Sequence, residues 1–392
     1  MRIVHITTVP QSLRFLGGQV GFMKAQGFDI AAISSPGPEL DQFGEQEEVP
    51  VHAVSMPRQI APLSDLRAVA RITSWLRRYR ADIVHAHTPK GGLLGLISAV
   101  LTRVPVRFYH MRGLPFVTAA GWQRQLLKWT ERTSCLLAHR VFCVSRSLRE
   151  VAIAEGICAA SKIVVLHHGG NGVDASARFN PARAPSRVAV RQRHDIPGEA
   201  LVIGFVGRLV RDKGIVELAD AWQELRCRHA HLHLLVVGRL ESSEPVSHDI
   251  VSRLQEDARV HLVGYADSAS LYPAMDLVVL PTYREGLPNV LLEAAAMKLP
   301  TVATHIPGCV DAVVDDVTGT LVPVRDVARL TAAIERYITD DDRRQTHGRA
   351  GRERVLRDFQ PEAIWKALAQ EYMRFTQTTD DAVSTPELAP PL

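Results

Sequence analysis

Two glutamates, Glu285 and Glu293, stand with seven residues between them in YREGLPNVLLEAAAMKLP (283–300), around a Gly-Leu-Pro-Asn turn that opens an Ala- and Leu-rich helical pattern. Pro288 pre-sets a helical dihedral and suits the first turn, where its missing N–H costs nothing. The free amides of Asn289, Val290 and Leu291 then point out of the helix start, at the positive end of its dipole, which is a place for a phosphate. Glu285 precedes the helix and Glu293 lies one turn inside it, so they do not share a face as an acid/base pair. They can instead sit on either side of a bound diphosphate. In a nucleotide sugar, hydroxyl-rich rings lie at both ends of the diphosphate, and carboxylates accept strongly from hydroxyls.

A second stretch, GFVGRLVRDKGI (204–215), supplies the matching cations. A strand ends at Gly207, and Arg208 and Lys213 occupy the loop before the next helix, with Gly214 closing the turn. Arg offers a planar fork and Lys a point charge, a pair suited to a diphosphate. The P-loop order, Lys followed by Ser or Thr, is absent.

Weaker signals accompany these. His85 and His87, two apart on one strand, share a face that would permit metal ligation, but no third ligand is apparent, which favours hydrogen-bonded roles at a strand end. GGNG (169–172) lacks the G-x-G-x-x-G spacing of a dinucleotide fingerprint and reads as a turn near a domain boundary. In GWQRQLLKWTER (121–132), Trp122, Leu126 and Trp129 fall at helical spacing, with Arg124, Lys128 and Arg132 on an adjoining face. Two readings stay open there: a helix lying in a lipid interface, or one with an apolar core face and a solvated basic face.

The elements that must position these residues are legible as short β-branched runs alternating with helical patterns: 2–6, 28–33, 81–87, 106–110, 140–145 and 162–168, then 201–207, 232–238, 259–264, 276–282 and 300–305. Nearly continuous apolar runs are those of parallel strands buried on both faces. The expected architecture is α/β, two doubly wound Rossmann-like domains, with ligands at the C-terminal strand ends. The polar, Pro- and Arg-rich stretch 180–200 interrupts the rhythm and marks the boundary, giving domains of 1–180 and 181–358. A final helix over 359–376 and a disordered acidic tail over 377–392 complete the expectation.

At 392 residues the chain exceeds what one hydrophobic core fills. Its five scattered cysteines, without C-x-x-C or zinc spacing, argue for a reducing cytosol. The N-terminus has no signal-peptide pattern, and GGLLGLISAVL (91–101) is too short to cross a bilayer. The net charge of +4 divides unevenly: residues 1–180 hold 21 Lys and Arg against 12 Asp and Glu, the remainder 25 against 30. The basic half suits an anionic surface or substrate.

GRLVRDKG and EGLPNVLLE, some seventy residues apart, together with DIVHAH and NGVD (171–174), closely resemble the retaining nucleotide-sugar glycosyltransferases of glycosyltransferase family four, whose GT-B fold has two facing Rossmann-like domains. The resemblance covers residues 1–375 and extends to the capsule, O-antigen and lipid-linked-oligosaccharide branch. It implies that Arg208 and Lys213 hold the donor diphosphate, with Leu287, Asn289, Val290 and Leu291 lining it, that Glu285 touches the donor hexose and that Glu293 binds the ribose. His110, in YHMRG, matches the family's histidine beside the donor sugar, and the final helix would pack on the first domain. It further implies a same-face mechanism with no enzyme nucleophile, no metal and no cofactor; no D-x-D motif in a plausible loop and no H-E-x-x-H is found. The family's Gly-Gly pair in the first βα loop is replaced here by Pro10, Gln11 and Ser12; Ser12, as an N-cap, would offer a hydroxyl instead. Gly17 and Gly18 fall inside the expected first helix.

The expected partners are therefore a UDP-sugar donor, a polyprenyl-diphosphate-linked sugar acceptor received by the N-terminal domain, and the anionic inner face of a bacterial membrane, the protein itself being cytoplasmic and peripheral. Alternatives from other classes are a nucleotide-sugar epimerase of the same architecture and a non-catalytic nucleotide-sugar-binding protein. A nicotinamide dehydrogenase lacks its glycine fingerprint, and a nucleic-acid role lacks an aromatic platform or reading helix.

Overall fold

The computed structural model describes residues 1–384 except Arg58, Ile60 and 242–245, with side chains to residue 377. Thirteen strands form two sheets among these residues. The first contains β1 (Arg2–Ile6), β2 (Asp29–Ser34), β3 (Val51–Ala53), β4 (Ile83–His87), β5 (Val106–Met111), β6 (Arg140–Cys143) and β7 (Ile163–Val164), in the order β3-β2-β1-β4-β5-β6-β7. The second contains β8 (Leu201–Val206), β9 (Leu232–Val237), β10 (Val260–Gly264), β11 (Leu277–Leu280), β12 (Thr301–Thr304) and β13 (Gly319–Val322), in the order β10-β9-β8-β11-β12-β13. Every strand pairing is parallel. In each sheet the order reverses beside the first strand, β1 or β8, which creates the switch point where α/β sheets take ligands.

The chain divides into one unit of Met1–Asn171 with the segment from Pro361 onward, and a second of Gly172–Gln360. The division thus falls at 171/172 and not at 180/181. Residues 180–200 are no linker: Val190, Ile196 and Ala200 join the core of the second unit, and a helix forms over Arg187–Arg193. Arg191, 2% exposed, anchors it through Asp276 at 3.0 Å and the Ala274 carbonyl at 3.1 Å. Composition alone made this stretch look solvated, but Arg187 and Arg191 both pair with Asp276.

The final helix spans Pro361–Ser384, eight residues beyond the expected 376, because no proline or glycine interrupts TQTTDDAVS. The expected disordered tail begins inside that helix; its residues 385–392 lie outside the described residues. The helix belongs to the first unit, where Leu368, Ala369 and Tyr372 enter the core. Its Trp365 ring explains Gly18: at φ +73° the glycine caps helix Gln19–Ala25, and a Cβ there would lie 2.6 Å from the indole. The expectation that Gly17 and Gly18 lie within a first helix is corrected accordingly, since a 3-10 segment, Pro10–Leu16, comes first. Ser12 sits inside that segment, its amide on the Val9 carbonyl, and caps nothing; Val9 holds the N-cap position.

Candidate functional site

In the second unit, β8 and β11 are neighbours, so their C-terminal loops meet. Gly214, at φ +71°, lets the first loop pass so close that a Cβ would lie 2.0 Å from the Pro281 carbonyl oxygen. The loops are then stitched together: Tyr283 N–H and Thr282 Oγ1–H both donate to the Asp212 carbonyl, at 2.8 and 3.0 Å, and Arg284 pairs with the Asp212 carboxylate at 3.1 Å. This scaffold holds Lys213 Nζ against Glu285 Oε1 in a direct ion pair, with side-chain exposures of 19% and 12%. Arg208, in the same first loop, pairs with Glu241 at 2.8 Å. Both cations are therefore held by carboxylates.

The helix after the second loop runs Asn289–Ala296, one residue later than expected. Pro288 takes the N-cap position with extended backbone (φ −77°, ψ 98°) and lies outside the first turn. Leu291 N–H is not free, for it donates to the Pro288 carbonyl at 3.1 Å. That leaves Asn289 and Val290 as open amides, while Leu287 and Val290 pack their side chains on the core. Glu293 projects elsewhere: its Oε2 accepts from Tyr272 Oη–H at 2.9 Å and Ser268 Oγ–H at 3.3 Å. Burial raises its pKa, partly opposed by those donors. The two carboxylates thus have separate surroundings, Glu285 beside a cation and Glu293 among hydroxyls. Tyr272 and Ser268 escaped the sequence reading, since nothing in their spacing points to a residue more than twenty positions downstream.

The first unit carries a different cluster. Parallel register sets His5 beside His85 and His87 beside His110 on β1, β4 and β5. His5 Nδ1 lies 2.9 Å from His87 Nε2, and the His85 and His110 rings stack at 5.3 Å. His5 is the third imidazole that the sequence reading lacked; its ring nitrogen and those of His85 and His87 lie within 4.8 Å of one another. The Arg112 guanidinium, 3.3 Å from His87 Nδ1, makes the cluster a poor home for a metal cation. Burial foremost, then neighbouring positive charge, lowers the pKa of all four, His5 to about 3, so the rings are neutral. Among the described residues, His110 Nδ1 and His85 Nε2 are buried without a hydrogen-bond partner.

On helix Gly121–Leu137, Trp122 and Trp129 are each 69% exposed and Leu136 77%. Two of the three basic residues are drawn in against a carboxylate, while Arg132 stays exposed. Arg124 and Lys128 share the Glu155 carboxylate at 2.9 and 2.6 Å, and Arg132 donates to the Glu155 and Gly156 carbonyls. Trp122 and Trp129 mark an exposed side of this helix and Arg124 and Lys128 anchor it to Glu155, so the reading with an apolar core face and a solvated basic face does not hold for these four residues. Among the described residues no helix is long and apolar enough to cross a membrane.

The two parallel sheets, with cations and carboxylates on the β8 and β11 loops, match known glycosyltransferases of GT-B fold. The model described as "Glycosyl transferase 4-like domain" matches residues 15–169, and that described as "Glycosyl transferases group 1" matches residues 200–340. The chain is 32% identical over 381 residues to the Staphylococcus aureus capsular polysaccharide biosynthesis glycosyltransferase CapM, covering 97% of this chain and 98% of that one. It is 25% identical over 318 residues to the Escherichia coli UDP-Gal:alpha-D-GlcNAc-diphosphoundecaprenol alpha-1,3-galactosyltransferase, covering 80% and 81%. Anabaena HepE, solved with UDP and glucose, superposes with a TM-score of 0.78 at 20% identity, covering 95% and 100%. The chain belongs to glycosyltransferase family four, in the branch that includes these capsule and lipid-linked-glycan enzymes.

Proposed function

We propose that this glycosyltransferase moves a hexose or N-acetylhexosamine from a UDP-sugar to a polyprenyl-diphosphate-linked sugar, with retention of anomeric configuration and without a metal. The observation that carries the donor half is the Lys213–Glu285 contact beside the open amides of Asn289 and Val290. The diphosphate takes Lys213 from Glu285 and Arg208 from Glu241; Glu285, released, accepts from hexose hydroxyls, and Glu293 accepts from the ribose. As the bond between the anomeric carbon and the phosphate oxygen breaks, charge grows on the departing phosphate, where two cations and a helix start stabilise it. The acceptor hydroxyl attacks the same face and passes its proton to that phosphate oxygen, leaving UDP and the extended glycan.

The name of the E. coli relative supports a UDP donor and a lipid-diphosphate acceptor, and the exposed Trp122 and Trp129 support work at a membrane surface. The test is a panel of UDP-sugars with a short prenyl-diphosphate GlcNAc, following UDP release and the product anomer by NMR. The reading requires acceptor-dependent UDP release and an unchanged anomer. Conversion of the UDP-sugar without acceptor and without UDP release would establish the epimerase instead.

A further inference from the structure

Arg112 follows β5 directly, at the C-terminal edge of the first sheet, where α/β folds take ligands. Among the described residues it has no ion pair with any carboxylate, although its guanidinium is largely withdrawn from water. Its donors meet only neutral acceptors: Asn171 Oδ1 at 3.0 Å from Nη1, and His87 Nδ1 at 3.4 Å from Nε and 3.3 Å from Nη2. The Phe15 ring covers one face at 4.4 Å from Cζ. Burial pulls its pKa down to about 9, with only the Tyr372 hydroxyl opposing.

A desolvated guanidinium is costly unless an anion compensates it, and Arg stays charged near neutral pH. The surroundings aim this one. Gly169, at φ +91°, lies so close to β6 that a Cβ would meet the Val144 carbonyl oxygen at 2.0 Å, and this contact fixes the GGNG turn that presents Asn171. Neutral His87 and Asn171 hold the plane of the fork without neutralising it, an arrangement that serves bidentate recognition of a phosphate. By contrast, Arg208 and Lys213 in the second unit are each already paired with a carboxylate.

We propose that Arg112, oriented by Asn171 and His87, is the site in the first unit that binds phosphate oxygens of the acceptor's diphosphate. This rests on the lipid-linked acceptor of the preceding reading. It also makes Arg112 a specificity determinant: a glycan carried on a diphosphate is bound more tightly than the same sugar on a neutral anchor.

The test uses the full chain and two probes, a short prenyl diphosphate and the corresponding prenyl alcohol, with binding followed by calorimetry. Wild type should prefer the diphosphate by about tenfold or more, and Arg112→Gln should abolish that preference, while Arg112→Lys keeps part of it. In turnover, Arg112→Gln should raise KM for a prenyl-diphosphate sugar by about tenfold or more and leave KM for a neutral alkyl glycoside and the affinity for UDP unchanged. Equal losses on both acceptors would mean a merely structural role, and weakened UDP binding with the acceptor KM intact would assign the phosphate to the donor; either overturns the proposal. If wild type binds the diphosphate through Arg112 yet transfers no sugar to any acceptor, the transferase reading of the acceptor fails while the anion site stands.

Discussion

His85 Nδ1 lies 2.5 Å from Tyr372 Oη, a contact between β4 and the last helix across 287 residues of sequence. Both groups are fully buried, so the bond ties the C-terminal segment to the centre of the first unit. Replacing Tyr372 by Phe strands a buried imidazole nitrogen and should cost about 1–3 kcal/mol in urea denaturation. Gly18→Ala should cost a similar amount or more, since it combines a left-handed backbone with a clash against Trp365 on the same helix. Unchanged stability in both variants would show that the helix is not docked on this unit.

Lys213 and Glu285 hold each other before any ligand arrives, and their variants should therefore diverge. Lys213→Ala is expected to weaken UDP about tenfold to a hundredfold, the worth of a charged hydrogen bond. Glu285→Gln removes the competitor for Lys213, so UDP should bind as well as or better than in wild type while sugar transfer falls by about a hundredfold. Parallel loss of UDP affinity in both variants would refute the exchange of partners.

Glu293 has its pKa raised chiefly by burial, and the charged form therefore weakens the folded state relative to a neutral one. Its folded pKa lies above the ordinary carboxylate value, so this deficit is absent at low pH, grows as pH rises above the ordinary value and is complete once pH has passed the raised one. Glu293→Gln should keep or raise Tm at pH 7 while weakening UDP more than it weakens inorganic diphosphate. A lower Tm with nucleotide affinity intact would make Glu293 a structural residue.

Glu131, 1% exposed and accepting from Tyr109 Oη at 2.8 Å, has its pKa pushed by burial from 4.5 to about 7. Between those values the folded chain keeps a proton that the unfolded chain releases, so stability declines as pH rises through that window. The decline approaches about 3 kcal/mol, from about 1.4 kcal/mol for each pKa unit. Denaturation from pH 4.5 to 7.5 should show this slope in wild type and lack it in Glu131→Gln.

Trp122 and Trp129 are exposed, whereas Lys128 is spent on Glu155. If the helix enters lipid, it does so by the aromatic stripe. The double change to Ala should reduce binding to anionic vesicles by about a hundredfold, from roughly 1.5 kcal/mol for each buried ring, and Lys128→Ala should change it by less than about twofold. The opposite ranking would restore a basic-face mode of attachment.

Most strands were legible because parallel strands buried on both faces need continuous apolar runs, and chains such as DIVHAH and LHLLVVG carry them openly. β3 and β13, three and four residues long at the sheet edges, were not, for so short a run on an edge resembles a loop. Arg208, Lys213 and Glu285 could be named as candidates from their loops and Glu293 from the helix that follows, since strand ends and helix starts are local features. Their partners Glu241, Tyr272 and Ser268 could not.

Local chemistry was thus written in the chain: which segments become buried strands, which loops carry cations and carboxylates, and where a helix opens. What folding alone decided is which of those charges already have partners. Register between parallel strands brings His5 level with His85, and loop crossing brings Lys213 to Glu285, because hydrogen-bonded sheet geometry sets distances that sequence spacing does not contain. For the same reason Arg124 and Lys128 of helix Gly121–Leu137 turned out to be anchors, and Arg112, ordinary in the sequence, turned out to be a cation that no carboxylate answers among the described residues.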